Sequence, residues 1–299
     1  MRPLVLAVAP VLIAAVCSDA RPIVARAACA DSLTVSLDPA SPREGSLFRV
    51  RVSGIPANAE IAGVAVGEPL HFTAGSQPAS HESLAGVPID AGDSLGIAIR
   101  CTLDEQTDTL AIRVPVMRGN FPVERLRVAP AFGRPPDSAL AARIRRESER
   151  AADVARASHD TPRLWTEPFL RPRSSRITSG FGGGREYNGT ITSRHTGTDF
   201  AGATGAPIRA ANRGVVRIVD RFFYGGNVVY LDHGAGLTSA YLHLSAHRVA
   251  AGDTVERGQI IGAVGATGRV TGPHLHLIVR YGRVTVDAMT LFAILGDST

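Results

Sequence analysis

The sequence predicts a mainly β chain: an immunoglobulin-like β-sandwich, a linker with one helix, then a compact antiparallel β domain. Three observations carry this expectation. Residues 31 to about 118 repeat short apolar–polar alternations separated by turn-rich stretches, the period-2 pattern of half-buried strands. A single stretch after Pro135-Pro136 shows helical spacing. From about residue 174 glycine becomes dense, and short β-branched runs replace any helical period until the last dozen residues.

In chain order, Leu33, Val35 and Leu37 form the first alternation, and Phe48, Val50 and Val52 the second. Leu95, Ile97, Ile99 and Cys101 follow, then Leu110, Ile112 and Val114. Short strands at this spacing predict a small sandwich over residues 28–118. No catalytic cluster lies there, and His71 and His81 are expected at the surface. The linker spans 119–173; Asp137 or Ser138 caps its helix, with Leu140, Ile144, Ala151 and Val154 on one face and the charged run Arg143 to Arg150 in solvent. In the final unit, 174–299, strands are expected at Val215–Val219, Asn227–Asp232, Leu237–Leu242, Ile260–Val264 and His274–Tyr281.

Hydrophobic content of 44% and charged content of 20% describe an ordinary globular protein. The net charge is +5, and all 32 basic residues are arginine. Basic character suits an anionic polymer, but no basic stripe interleaves with aromatics, so nucleic acid is not an expected partner. Arg2 and the apolar run Leu4–Val16 read as an export signal over residues 1–27, with Ala25-Arg26-Ala27 as cleavage site. Val16 is bulky for the lipoprotein box before Cys17, so soluble export to the periplasm or medium is preferred over a lipid anchor. No later segment is long and apolar enough to span a membrane. Removing the signal leaves Cys29 and Cys101, which in an oxidising compartment make one disulfide.

The chemistry concentrates in three stretches. In Gly272-Pro273-His274-Leu275-His276-Leu277-Ile278, strand period 2 points His274 and His276 the same way. Two rings bring four nitrogens that need partners, so the pair reads either as two locally satisfied histidines or as a metal or catalytic site. His195 and Asp199 sit four apart in Arg194-His195-Thr196-Gly197-Thr198-Asp199, where Gly197 and the threonines argue for extended backbone. Tyr241-Leu242-His243-Leu244 adds a third strand histidine. Two imidazoles and one carboxylate suit a catalytic zinc with a fourth position for water, and two imidazoles remain over. A structural zinc closes all four positions, usually with cysteine, and neither Cys29 nor Cys101 lies near. A mononuclear iron triad uses similar ligands, but the extra histidines favour hydrolysis. Gly180-Phe181-Gly182-Gly183-Gly184 lacks the G-K-S/T ending of a phosphate loop and reads as a groove rim, with Tyr187 and Asn188 lining the groove. His233, Asp232 and Asp287 read as framework, and His247 as exposed.

Residues 174–290 resemble the M23 metallopeptidases, the lysostaphin/LytM type of peptidoglycan endopeptidase. The resemblance rests on "HTGTD", "YLHLS" and "GPHLH" in family order, with "GAPIRAANRGVV", "GNVVYLDHGAG" and "GDTVERGQIIGAVGATGRVTGPH" between them. It implies one zinc per chain held by His195, Asp199 and His276, with His274 as general base and His243 steadying the oxyanion. It implies a hydrolase, a metalloprotease acting on peptidoglycan of the cell wall. The alternative is a non-catalytic relative that binds cell wall or activates an amidase. Family members cut glycine bridges or bonds between D-alanine and a diamino acid; the exported, Lys-free chain leans towards the second, as in diderm bacteria. The N-terminal region resembles the extra region of some exported members more weakly and is a candidate surface for a protein partner.

Overall fold

The computed structural model describes residues 29–75, 80–189 and 191–296, the side chains of 191 and 192 excepted. The expected export signal, its cleavage site and Cys17 lie outside the described residues. Among the described residues the chain is mainly β, and two α-helices lie at the junction and at the end.

Among the described residues eight strands come first: β1 (Thr34–Asp38), β2 (Leu47–Ser53), β3 (Glu60–Ala65), β4 (Glu68–Leu70), β5 (Thr73–Ala74), β6 (Ser80–Gly86), β7 (Ser94–Leu103) and β8 (Gln106–Pro115). They form two antiparallel four-stranded sheets, ordered β1-β2-β6-β5 and β4-β3-β7-β8. The alternation in the sequence sets which residues meet between them. Phe48, Val50 and Val52 from β2 and Leu95, Ile97 and Ile99 from β7 share one core. Cys29 and Cys101 are joined by a disulfide with Cα atoms 5.8 Å apart, fastening the chain before β1 to β7.

The linker holds more than a helix. Strand β9 (Val123–Leu126) runs parallel to β11 (Gly184–Tyr187), and β12 (Ile191–Arg194) pairs on the other side of β11. Helix α1 (Ser138–Ala157) starts at Asp137, whose carboxylate accepts from the Leu140 N–H at 2.8 Å and satisfies a donor of the first turn.

The remaining strands are β10 (Ile177–Ser179), β13 (Thr198–Ala201), β14 (Pro207–Arg209), β15 (Gly214–Phe222), β16 (Gly226–Gly234), β17 (Leu237–Leu244), β18 (Ala246–His247), β19 (Thr254–Val255), β20 (Ile260–Ala263), β21 (His274–Tyr281) and β22 (Val284–Val286), before helix α2 (Ala288–Leu295). The main sheet is antiparallel and ordered β10-β13-β21-β17-β16-β15-β19, with β22 also on β21; β14-β20-β18 make a small second sheet.

Strand β21 shows how the site is placed. Leu275, Leu277 and Val279 point into the core with Phe200, Leu231 and Tyr241. Burying each such side chain contributes about 1.5–3 kcal/mol, which pins the register. The opposite face then has to carry His274, His276 and Ile278. Ile278 packs under α1 with Ala151, Tyr230, Ala240 and Leu242. His276 and His274 lie further along that face, outside this apolar cluster. The N-terminal sheets meet the same domain: Leu47 belongs to its core, and the Leu47 N–H donates to Thr290 Oγ1 of α2 at 2.9 Å.

Candidate metal centre

Strands β13 and β21 are neighbours, and Asp199 lies directly opposite His276 in their register. Directly opposed residues have Cβ atoms about 4.5–5.5 Å apart, so the carboxylate and the ring meet. His276 Nδ1 is 2.7 Å from Asp199 Oδ1. His195 reaches the same point from the end of β12: its Nε2 is 3.0 Å from Asp199 Oδ1 and 3.0 Å from His276 Nδ1. All three residues are buried, and their ligand-capable atoms lie within 4.8 Å of one another. Gly197 makes room, because a Cβ there would sit 2.7 Å from His276 Nε2 and against the Leu277 carbonyl.

The groups behind the cluster orient it. His195 Nδ1 lies 2.5 Å from the Gly180 carbonyl, so its N–H donates there and its Nε2 presents a lone pair inward. The glycine-rich stretch thus supplies a backbone acceptor, a role no side-chain motif announces. Arg185 donates to Asp199 Oδ2 at 2.9 Å, which occupies that oxygen and leaves Oδ1 facing the rings. Burial works against the Asp199 charge, but its contacts with the His195 and His276 rings hold its carboxyl well below the usual carboxylate range. Burial pushes the His276 ring down to about 4, with Asp199 opposing, so the ring is neutral near pH 7. A carboxylate oxygen and two ring nitrogens therefore converge with few protons to share among them. That donor set fits a divalent cation of borderline softness such as zinc.

Two more rings stand beside it. His274 Nδ1 is 2.8 Å from the Gly272 carbonyl and its Nε2 is 3.6 Å from Asp199 Oδ1. His243 Nδ1 is 2.8 Å from the Thr267 carbonyl, and its ring centroid lies 5.0 Å from that of His274 and 5.7 Å from that of His276. In both, the Nδ1–H goes to a carbonyl and Nε2 is the free nitrogen. His243 has φ of 65°, the left-handed region that a branched ring tolerates at a cost of order 1–3 kcal/mol. The strain sits where the strand turns this ring towards the cluster. Burial first, then the neighbouring His276 and His274, keep the His243 pKa well below its ordinary value.

A groove runs alongside, lined by Glu124, Arg185, Tyr187, Asp199, Arg269 and His274 among others. Its wall includes β9 from the linker: Ser179 Oγ donates to Glu124 at 2.9 Å, and Arg185 pairs with Glu124 at 3.4 Å. Tyr187 lines the groove, whereas Asn188 turns to the Val128 backbone, donating to its carbonyl and accepting from its N–H, each at 3.0 Å. His233 is buried in the framework, with Nδ1 2.7 Å from the Arg213 carbonyl and Nε2 2.8 Å from Ser239 Oγ. His71, expected at the surface, is instead half-buried against His159 at 2.8 Å. No sequence pattern marks Arg185 or the Gly180 carbonyl, because neither lies at a recognisable spacing from the residues it supports.

The fold and cluster define an antiparallel β domain with a buried His–Asp–His set that could hold a metal ion. Residues 193–288 match the model of Peptidase family M23, so the chain carries an M23 peptidase domain. The peptidoglycan DD-endopeptidase ShyB of Vibrio cholerae is 44% identical over 137 residues, 45% of this chain and 32% of that protein. Lysostaphin of Staphylococcus simulans is 34% identical over 122 residues, 40% of this chain and 23% of its own length. The chain thus matches about a third or less of each of these relatives. A crystal structure from Pseudomonas aeruginosa, assigned provisionally to peptidase M23, covers 86% of this chain and 96% of its own with a TM-score of 0.66 at 24% identity, a likeness of fold.

Proposed function

We propose that the C-terminal unit, residues 174–299, is a zinc-dependent endopeptidase that hydrolyses peptide cross-links or stem peptides of bacterial peptidoglycan. The observation that carries this is the convergence of His195 Nε2, Asp199 Oδ1 and His276 Nδ1 with two further imidazoles beside them. The named relatives are the reason for choosing peptidoglycan as substrate.

His195, Asp199 and His276 would hold one zinc. When bound, such an ion lowers the pKa of a water to about 7 and polarises a carbonyl. His274 offers the free Nε2 lone pair that takes the proton, since its other nitrogen is tied to Gly272. His243 stands beside His274 with Nδ1 tied to the Thr267 carbonyl, so it steadies the developing oxyanion through Nε2 when that nitrogen carries a proton. Arg185 holds Asp199 ionised and oriented. The non-catalytic, amidase-activating alternative describes chains that have lost ligands, and this donor set is complete. The N-terminal sheets, residues 28–118, serve in this reading as an immunoglobulin-like adapter for cell wall or a protein partner in the periplasm or medium.

The test is release of new peptide termini from purified sacculi by the zinc-loaded protein, read by mass spectrometry. Hydrolysis that stops on chelation and returns with zinc supports the proposal. Intact sacculi with a zinc-loaded site would replace it with the activator reading.

A further inference from the structure

Arg269 lies in the loop between β20 and β21, and its backbone N–H donates to the Tyr224 carbonyl at 2.9 Å. Its guanidinium is sandwiched between two aromatic rings, with Cζ 4.0 Å from the Tyr187 centroid and 4.1 Å from that of Tyr224. Stacking between faces fixes the plane of the group and leaves its N–H edges as the open side. Those edges border the groove that also contains Asp199 and His274.

The neighbouring cation is already committed: Arg185 pairs with Asp199 and Glu124. Arg269 has no such partner among the described residues, where no carboxylate lies within 4.0 Å of it and its side chain makes no hydrogen bond. Burial lowers its pKa, and the Arg185 charge adds to that effect. A half-buried, preorganised guanidinium without a counter-ion is a costly feature unless an anion arrives to pair with it. The planar fork matches a carboxylate in bidentate geometry.

We infer that Arg269 is a specificity-determining residue that binds a free carboxylate of the substrate peptide on the amine side of the scissile bond. This rests on the endopeptidase reading and sharpens it. In a cross-link from D-alanine to a diamino dicarboxylic acid, the carbon bearing the acylated amine also carries a free carboxylate, two bonds from the scissile nitrogen. A glycine bridge has no carboxylate at that place. The clamped guanidinium therefore favours the first kind of bond over the second.

The experiment compares two synthetic cross-linked peptide dimers that differ only there, one with the free carboxylate and one with the carboxamide. Steady-state kinetics of the zinc-loaded full chain and calorimetric binding are measured for the wild type, Arg269→Gln and Arg269→Lys. A hydrogen-bonded charge contact corresponds to about a ten- to hundredfold preference for the carboxylate. Arg269→Gln should lose that preference, mainly through KM on the carboxylate substrate, with the carboxamide little affected; Arg269→Lys should retain part of it. A sandwich that only packs the loop would depress both substrates equally. Equal use of the two dimers by the wild type, or a preference that survives Arg269→Gln, overturns the inference. Should Arg269→Gln fail to fold by circular dichroism, the wild-type comparison and Arg269→Lys decide. If the wild type cuts neither dimer, the endopeptidase reading fails, and the binding preference alone still decides the role of Arg269.

Discussion

At the junction between the N-terminal sheets and the C-terminal domain, His71, His159 and Glu68 form a chain in which each donor meets an acceptor. His71 Nε2 is 2.8 Å from His159 Nδ1, His159 Nε2 is 2.9 Å from Glu68 Oε2, and Arg283 donates to Glu68 Oε1 at 2.8 Å. Around Asp199 the same residue types are arranged differently. There the outer nitrogens of His195, His243 and His274 are spent on backbone carbonyls, and the inner atoms are turned on one another. Histidine and carboxylate in contact are therefore not enough to mark a metal site. A closed donor–acceptor chain is framework, and a set of inward lone pairs asks for a cation.

Substitutions should separate the two clusters. The largest effect is expected from Asp199→Ala, which removes the atom shared by both rings and should abolish zinc retention and hydrolysis together. Metal analysis after gel filtration checks it; a variant that keeps one zinc and full turnover would remove Asp199 from the centre. His274→Ala should retain zinc but lose about 10²–10⁴-fold in rate, the usual worth of general acid–base help. Parallel zinc content and kcat measurements test that split, and unchanged kcat would exclude His274 as the base.

Glu68→Gln should do the reverse. It disrupts a buried carboxylate with two partners, so a loss of about 1–3 kcal/mol in stability is expected with zinc content unchanged. Denaturant unfolding measures it, and a loss of metal would show that the two clusters are coupled. The most gradual effect concerns acid. Burial holds His233 down to about 4 from 6.5, so the unfolded chain takes up a proton before the native one. Stability should fall as pH drops from 6.5 towards 4, by up to about 1.4 kcal/mol per pH unit from this ring. The Asp232 carboxylate beside it, lowered by Thr161 and Arg217 against the cost of burial, gives way at lower pH. His233→Gln should flatten the slope in the upper window, and an unaltered slope would place the acid sensitivity elsewhere.

Much of the architecture was legible because alternation and turn chemistry are local. Strand β21 has the bounds His274–Tyr281 that its apolar run suggests, and Asp137 caps α1 where the Pro-Pro-Asp stretch points. The residues that converge came from two spacings, H-x-x-x-D and H-x-H, which strand period and register carry into contact. Other parts needed the folded chain. β9 is four residues, Val-Glu-Arg-Leu, and becomes a strand only because β11 pairs with it. His71 meets His159 across 88 positions, a distance over which no periodic pattern speaks. Arg185 and Arg269 are two among 32 arginines until the groove gathers them.

X-ray absorption at the zinc edge of the metal-loaded protein tests the central claim most directly. One zinc per chain with two imidazole nitrogens and carboxylate oxygen, changed in the His276→Ala variant, is the expected result. A chain that binds no zinc, or binds it with ligands unaffected by His195, Asp199 and His276, would contradict it.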